Sequence, residues 1–248
     1  LNLANTVKVK DFNVIGVENS VWLSYEDFNN DKVYDLSTLD NSICIGGFDL
    51  SRTGDMTAFT TLLFDKENKK VIADTMYWVT AQFLREQEQQ NSKVPWRAWL
   101  DRGLVRISGD NIIDYHDISN YVSHNFHTHG YTYVKINYDS YSAQYLVQEL
   151  ELMGYMKDYC LVATPQGAKT LSVPMQTLEA HLKNKTISYQ NNPITKWCLS
   201  NVELEQDRNG NYMPKKVKDK RNRKIDGVAT ILNCYVSLCE NIDYYLGE

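Results

Sequence analysis

The sequence contains no Cys-x-x-Cys pair. Its five cysteines, Cys44, Cys160, Cys198, Cys234 and Cys239, are scattered and odd in number, so neither a disulfide framework nor a cysteine zinc site is suggested. Unpaired thiols of this kind fit a reducing intracellular compartment. Apolar runs are short: none approaches the roughly 18 residues a membrane-spanning helix needs, and the opening LNLANTVKVKDF has no signal-peptide core. No membrane partner is expected. The phosphate-binding string G-x-x-x-x-G-K-[ST] is missing, and its nearest counterpart, PQGAKT at 165–170, has the wrong spacing, so ATP hydrolysis through such a loop is excluded. No nucleophile elbow, internal repeat or low-complexity segment is found. Basic excess is lacking as well, since the formal net charge is −5.

What is present is ample material for a core. With 248 residues, 43% hydrophobic and 23% charged, the chain has the size of one large α/β domain. A net negative charge argues against a polyanionic partner, but the average conceals an asymmetry. Arg208, Lys215, Lys216, Lys218, Lys220, Arg221, Arg223 and Lys224 face a single acid, Asp219, over 208–224. A polyanion such as DNA could therefore be held at one place only, through contacts that position a duplex without reading its sequence. The other reading of this run is a solvated hairpin arm.

Regular organisation begins near Ser42. ICIGGFDL (43–50), TAFTTLLFD (57–65) and VIADTMYWVT (71–80) are β-branched and aromatic runs separated by turn-rich SRTGD and KENKK, which predicts an antiparallel three-stranded meander. A helix over 81–90, a loop carrying Pro95, Trp96 and Trp99, and a short strand LVRIS follow. Ile113, Ile118, Tyr121, Val122 and Phe126 recur at roughly helical spacing. YTYVKINY (131–138) reads as a strand, followed by a helix with Ala143, Leu146, Leu150 and Met153 on one face and Gly154 at its end. CLVAT (160–164) and the helix over 171–182 repeat that unit. ITKWCLSNVELEQ (194–206) is expected to be a strand, joined through Asn209-Gly210-Asn211 to a hairpin arm carrying the basic run. A last helix starts near Asp226. The whole predicts an α/β fold, a mixed sheet flanked by helices with an extra basic β-hairpin. Residues 1–40 read as a connecting arm with a short helix at most, and residues 41–248 as the domain proper. A chain that starts at Leu1 points to a longer parent.

Three aspartates occupy comparable places: Asp49 ends the first strand, Asp139 follows the strand 131–138, and Asp226 opens the last helix. Singly, each has an ordinary reading as a turn former or helix cap. Convergence of all three would have a cost. Two carboxylates about 4 Å apart repel by roughly 4 kcal/mol at an effective dielectric near 20, so a triad requires cations or protonation. Hard divalent ions, Mg²⁺ or Mn²⁺, suit such oxygen donors, and a pair of them can clamp the attacking water and the leaving oxygen of a phosphodiester.

GGFDLSRTGDMTA, VKINYDSYSAQYLVQELELMG, NNPITKWCLSN and KIDGVATILN, in that order, closely resemble the nuclease domain of the large terminase subunits of tailed phages, a ribonuclease-H-like family. The resemblance runs from about residue 10 onward, and Trp22 with the acids after it resembles the segment that joins the family's packaging ATPase to its nuclease. It implies a metal-dependent endonuclease cutting concatemeric viral DNA with little sequence preference, with two ions of Mg²⁺ or Mn²⁺. Asp49, Asp139 and Asp226 match the family's catalytic, metal-binding acids, and Asp55 matches a further acid near the metals. It also implies work on double-stranded DNA with a portal protein and a small terminase subunit, in the cytoplasm of an infected bacterium, and a separate ATPase half not contained in this chain. Many relatives carry a second acid after the last one, where this chain has Gly227. A Holliday-junction resolvase, a transposase-type enzyme and a non-catalytic DNA or portal docking module are the alternatives. His124, His127 and His129 cluster in sequence, but they fall where a helix ends before Gly130, a place that favours histidine without any metal.

Overall fold

The central sheet is built outward from a meander whose strands are buried almost throughout. β1 (Ile43–Asp49), β2 (Thr57–Asp65) and β3 (Lys70–Val79) pair antiparallel, with Asp49 opposite Ala58 and Ala58 opposite Tyr77. This computed structural model describes residues 22–51, 55–90, 92–139, 143–216 and 223–247. Four shorter or later strands join in parallel: β4 (Val105–Ile107) and β7 (Ile187–Ser188) beside β3, β5 (Thr132–Tyr138) beside β1, and β6 (Leu161–Ala163) beside β5. The order is β4-β3-β2-β1-β5-β6, with β7 paired to β3 off that path. The expected meander and mixed sheet are therefore found.

Parallel strands need crossovers, and these supply the helices on the two faces. The numbered helices begin with α1 (Tyr25–Phe28), which precedes the sheet, and α2 (Ala81–Gln89), which is capped by Thr80. α3 (Trp96–Asp101) comes next. α4 (Tyr115–His129) is capped by Asp114 and ends at Gly130, whose φ of 67° is the left-handed geometry that a helix end favours in glycine. α5 (Gln144–Leu152) packs beside α4, and Ile118 and Val122 join Leu146 and Leu150 in the core on that face. On the other face lie α6 (Ala168–Lys183), α7 (Pro193–Ser200) and α8 (Asp226–Glu240), with α9 (Ile242–Leu246) closing the chain. Their core includes Leu178, Ile194, Ile231 and Leu238. A separate hairpin, β8 (Val202–Gln206) with β9 (Tyr212–Lys216), leans on α6, where the Tyr212 amide donates to Ser172 Oγ at 3.2 Å.

Three expectations need correction. The first half of 194–206 is helix α7: Asn192 caps the amides of Ile194 and Thr195, and Pro193 fits the first helical turn, where it has no amide to lose. Only 202–206 is strand. The loop expected around Pro95 contains α3, whose Trp96 and Trp99 rings meet edge to face at 5.2 Å and both touch Trp197 of α7. Phe126 and Met153, expected on buried faces, are half exposed at 49% and 40%.

The arm expected over residues 1–40 lies outside the described residues as far as Val21. From Trp22 onward it is docked on the body: Trp22 Nε1 donates to Glu179 of α6 at 3.0 Å, and Tyr189 Oη donates to the Phe28 carbonyl at 2.8 Å.

Candidate nuclease centre

Phe48 of β1 and Tyr138 of β5 are register partners on adjacent parallel strands, and their rings stack at 5.3 Å and 9°. Asp49 ends β1 and Asp139 immediately follows β5, so the two acids stand at the same end of the sheet, on adjacent strands spaced about 4.8 Å apart. Alternation decides the face. Phe48 and Tyr138 point toward α4 and α5, which turns Gly47 and Asp49 toward α8. Asn137 confirms the sense on β5, since its Oδ1 accepts from Ser237 Oγ of α8 at 2.8 Å.

α8 lies unusually close to this face. A Cβ on Gly47 would stand 2.4 Å from the Thr230 carbonyl oxygen, so only glycine admits the helix there. Polar contacts fix its register: Asn233 Nδ2 donates to the Phe48 carbonyl at 3.0 Å, Gln166 Nε2 donates to Asn233 Oδ1 at 2.9 Å, and the hydroxyls of Thr230 and Thr60 meet at 2.7 Å. The Asn233–Phe48 and Thr230–Thr60 bonds are buried, where each is worth more than at the surface and each lapse would cost desolvation. The helix begins with Asp226, 3% exposed, and the next residue, Gly227, packs against the hydroxyl of Tyr77, which ends the register row Asp49–Ala58–Tyr77. A helix N-terminus carries positive partial charge that favours a carboxylate. Beside it, burial pushes the Tyr77 phenol well above its usual range, an effect to which the charges of Cys198 and Asp226 add. The Tyr77 hydroxyl is 2.7 Å from that of Thr195.

Asp55 lies in the turn between β1 and β2, where its Oδ1 accepts from the Met56 amide at 2.9 Å. The same oxygen meets Lys224 Nζ. Lys224 is the residue that sequence reasoning placed differently. Its side chain is 8% exposed, its ammonium sits over the Phe83 ring at 5.4 Å, and its carbonyl accepts from Asn201 Nδ2 at 3.0 Å. Its side chain is thus turned inward, toward Asp55 and Phe83. The one signal in the sequence was its place two residues before Asp226.

The remaining basic residues are divided. Lys215 of β9 is ion-paired across the hairpin with Glu205 at 2.7 Å, Lys216 closes the strand, and Arg223 is half-buried. Lys218, Lys220 and Arg221 lie outside the described residues. The histidines go separate ways: His129 Nδ1 is 3.0 Å from Asp40, His127 is engaged with Ser123 and His124 with Thr128.

Among the described residues no three His, Cys, Asp or Glu side chains stand together as a ready ligand set. The donor chemistry at the strand ends nevertheless suits a hard cation. Mg²⁺ is commonly held by one or two carboxylates, with water and substrate phosphate completing its shell, and Asp49 and Asp139 are the carboxylates at these strand ends.

A mixed sheet with carboxylates at the ends of adjacent parallel strands, packed by a helix that begins with a third, is compatible with a nuclease-type α/β domain. Residues 2–241 match the sequence model of the family described as terminase large subunit, endonuclease domain, and the chain belongs to that family. It is similar to protein YmfN of Escherichia coli K12, at 24% identity over 93% of this chain and 51% of that protein. It also resembles the large terminase subunit of Enterobacteria phage HK97, at 24% identity over 75% of this chain and 35% of that one. The chain thus spans about half or less of these curated relatives. The crystal structure of the HK97 large terminase superposes with a TM-score of 0.73 at 20% identity, over 88% of this chain and 43% of that one. The large terminase nuclease of thermophilic phage G20c with bound magnesium gives 0.52 at 12%, over 89% and 98%. The fold is ribonuclease-H-like.

Proposed function

We propose that this domain is a divalent-metal-dependent DNA endonuclease that cuts concatemeric viral DNA during genome packaging, with little sequence preference. The observation that carries the reading is the side-by-side exit of Asp49 and Asp139 beneath a helix that opens with Asp226, in a chain of the terminase nuclease family. The magnesium bound to the G20c nuclease supports the choice of a hard cation. When bound, such an ion supplies a water of lowered pKa and charge to offset the phosphate. Asp49 and Asp139 hold it at the rim of the sheet. Asp226, fixed from behind by the Asn233 and Thr230 contacts, bounds the site on the helix side, and the stacked Phe48 and Tyr138 rings close its floor to water from the opposite face. The duplex is gripped through its backbone by the basic run, with Lys215, Lys216, Lys218, Lys220, Arg221 and Arg223 as contacts. By the same reading the parent protein works in the host cytoplasm with a portal protein and a small terminase subunit.

Supercoiled plasmid incubated with the domain tests this. Mn²⁺ or Mg²⁺ should yield nicked and then linear DNA, and EDTA should stop both. Cutting that persists undiminished in EDTA would overturn the metal mechanism.

A further inference from the structure

Lys224 is an unusual residue to find in the wall of an acidic centre. An ammonium with 8% of its side chain exposed loses most of its hydration, and the loss is offset only by good partners. Here those partners are Asp55 and the face of Phe83, both reached from the segment just ahead of α8. The pair therefore ties the β1–β2 turn to the start of the helix that carries Asp226.

A second feature lies beside it. Position 227, immediately after Asp226, has no room for a side chain. A Cβ there would stand 2.1 Å from the Tyr77 hydroxyl, which is itself fastened to Thr195. The first turn of α8 thus contributes one carboxylate and is sterically barred from offering a neighbouring one. Asp55, the only other acid in the β1–β2 turn, is held by a cation that belongs to the protein.

We propose that Lys224 acts as a built-in cation at the nuclease centre, taking the place of a second metal ion, so that this domain binds one divalent ion per chain. The inference rests on the metal-nuclease reading above. It assigns Lys224 as a positioning residue that neutralises Asp55 and holds the β1–β2 turn against α8. The single ion belongs to the strand-end pair Asp49 and Asp139. A second ion near Asp55 would meet the fixed ammonium, with like charges opposed in a poorly hydrated place, and would find no carboxylate at position 227 to receive it.

The count of bound ions is the direct test. Titration of the whole 248-residue chain with Mn²⁺, followed by calorimetry and by the loss of the free Mn²⁺ electron paramagnetic signal, should give one ion per chain. Asp49→Asn should abolish that binding. Two ions on the wild-type chain would overturn the inference and leave the nuclease reading standing, whereas no binding at all would overturn the nuclease reading beneath it. Lys224→Met removes the charge and keeps the length, and its stoichiometry should rise to two. Adding Asp55→Asn to that variant should return it to one. A folded Lys224→Met chain that still binds one ion would refute the role given to the lysine. Should that variant fail to fold, Asp55→Asn alone decides: its Mn²⁺ dissociation constant should stay within about two-fold of wild type. A ten-fold weakening would make Asp55 a ligand and refute the inference.

Discussion

The two faces of the central sheet both bury polar groups, and they use them differently. On the α8 face, hydroxyls and amides such as Thr60, Thr230, Asn233 and Ser237 are paired with one another or with strand carbonyls, and the acids stand at the rim. On the α4 face an acid sits in mid-sheet. Asp74 lies opposite Thr61, close to the Tyr121 hydroxyl, and burial raises its pKa, with the Tyr121 hydrogen bond and the charge of His129 working against the rise. The neighbouring Asn125 donates to Tyr133 Oη at 2.9 Å, which keeps this cluster satisfied from within. The lesson is positional. A carboxylate at a strand end can meet solvent, a cation and a substrate, whereas one in the middle of a strand is confined to its neighbours and serves packing.

The contrast is broken most sharply by charge removal. Asp49→Asn or Asp139→Asn should lower plasmid cleavage in Mn²⁺ by about a hundred-fold or more, the scale of losing a group that stabilises charge in the transition state. Circular dichroism and melting should stay near wild type. Asp74→Asn should leave the cleavage rate within about two-fold. Equal losses at the rim and in mid-sheet would erase the distinction.

Helix approach gives the next largest effect. Gly47→Ala drives a Cβ against the backbone of α8, while on the opposite face Gly46→Ala meets only the side chains of Phe59, Ile136 and Tyr133, at 3.0–3.2 Å. Both overpack. The first should cost about 2–3 kcal/mol in urea denaturation and the second about 1 kcal/mol, because side chains rotate aside and a helix backbone does not. Reversed costs would show that α8 is the more yielding partner.

The smallest effect concerns pH. A carboxyl whose folded pKa is raised binds its proton more tightly in the native state, so its ionisation disfavours folding as pH climbs from the ordinary carboxyl range through the raised value. Asp74→Asn removes that decline. Relative to wild type, the variant should gain stability as pH rises from the ordinary carboxyl range, and thermal melts across a pH series measure it. A difference independent of pH would mean that folding does not raise the Asp74 pKa.

Much of the architecture was legible in the sequence because its signals are local. The three runs of the meander, the Asn209-Gly210-Asn211 turn and the apolar spacing after Asp226 each state a period or a turn within a few residues. The same holds for the placing of Asp49 and Asp139 at strand ends. Segment 194–206 is ambiguous in sequence because Ile194, Trp197, Cys198 and Leu199 suit a buried strand as well as a helix, and only the cap at Asn192 separates the two. The aromatic group of Phe83, Trp96, Trp99 and Trp197 unites three helices that are distant in sequence, so the loop around Pro95 gave no sign of α3. Lys224 was read with its basic neighbours, because a charge run looks uniform until the fold turns one member inward.

The docking of residues 22–34 has a mechanical side. Lys185 Nζ donates to the carbonyls of Asp27 at 2.6 Å and Asn29 at 3.1 Å, the Asn30 amide group grips the Ile187 carbonyl at 2.7 Å, and Gln190 brackets Tyr34 through both its amide and its carbonyl. Since Ile187 belongs to a strand of the central sheet, these bonds connect the segment directly to that sheet. The segment is fastened to the body at several points along its length, not at one end alone.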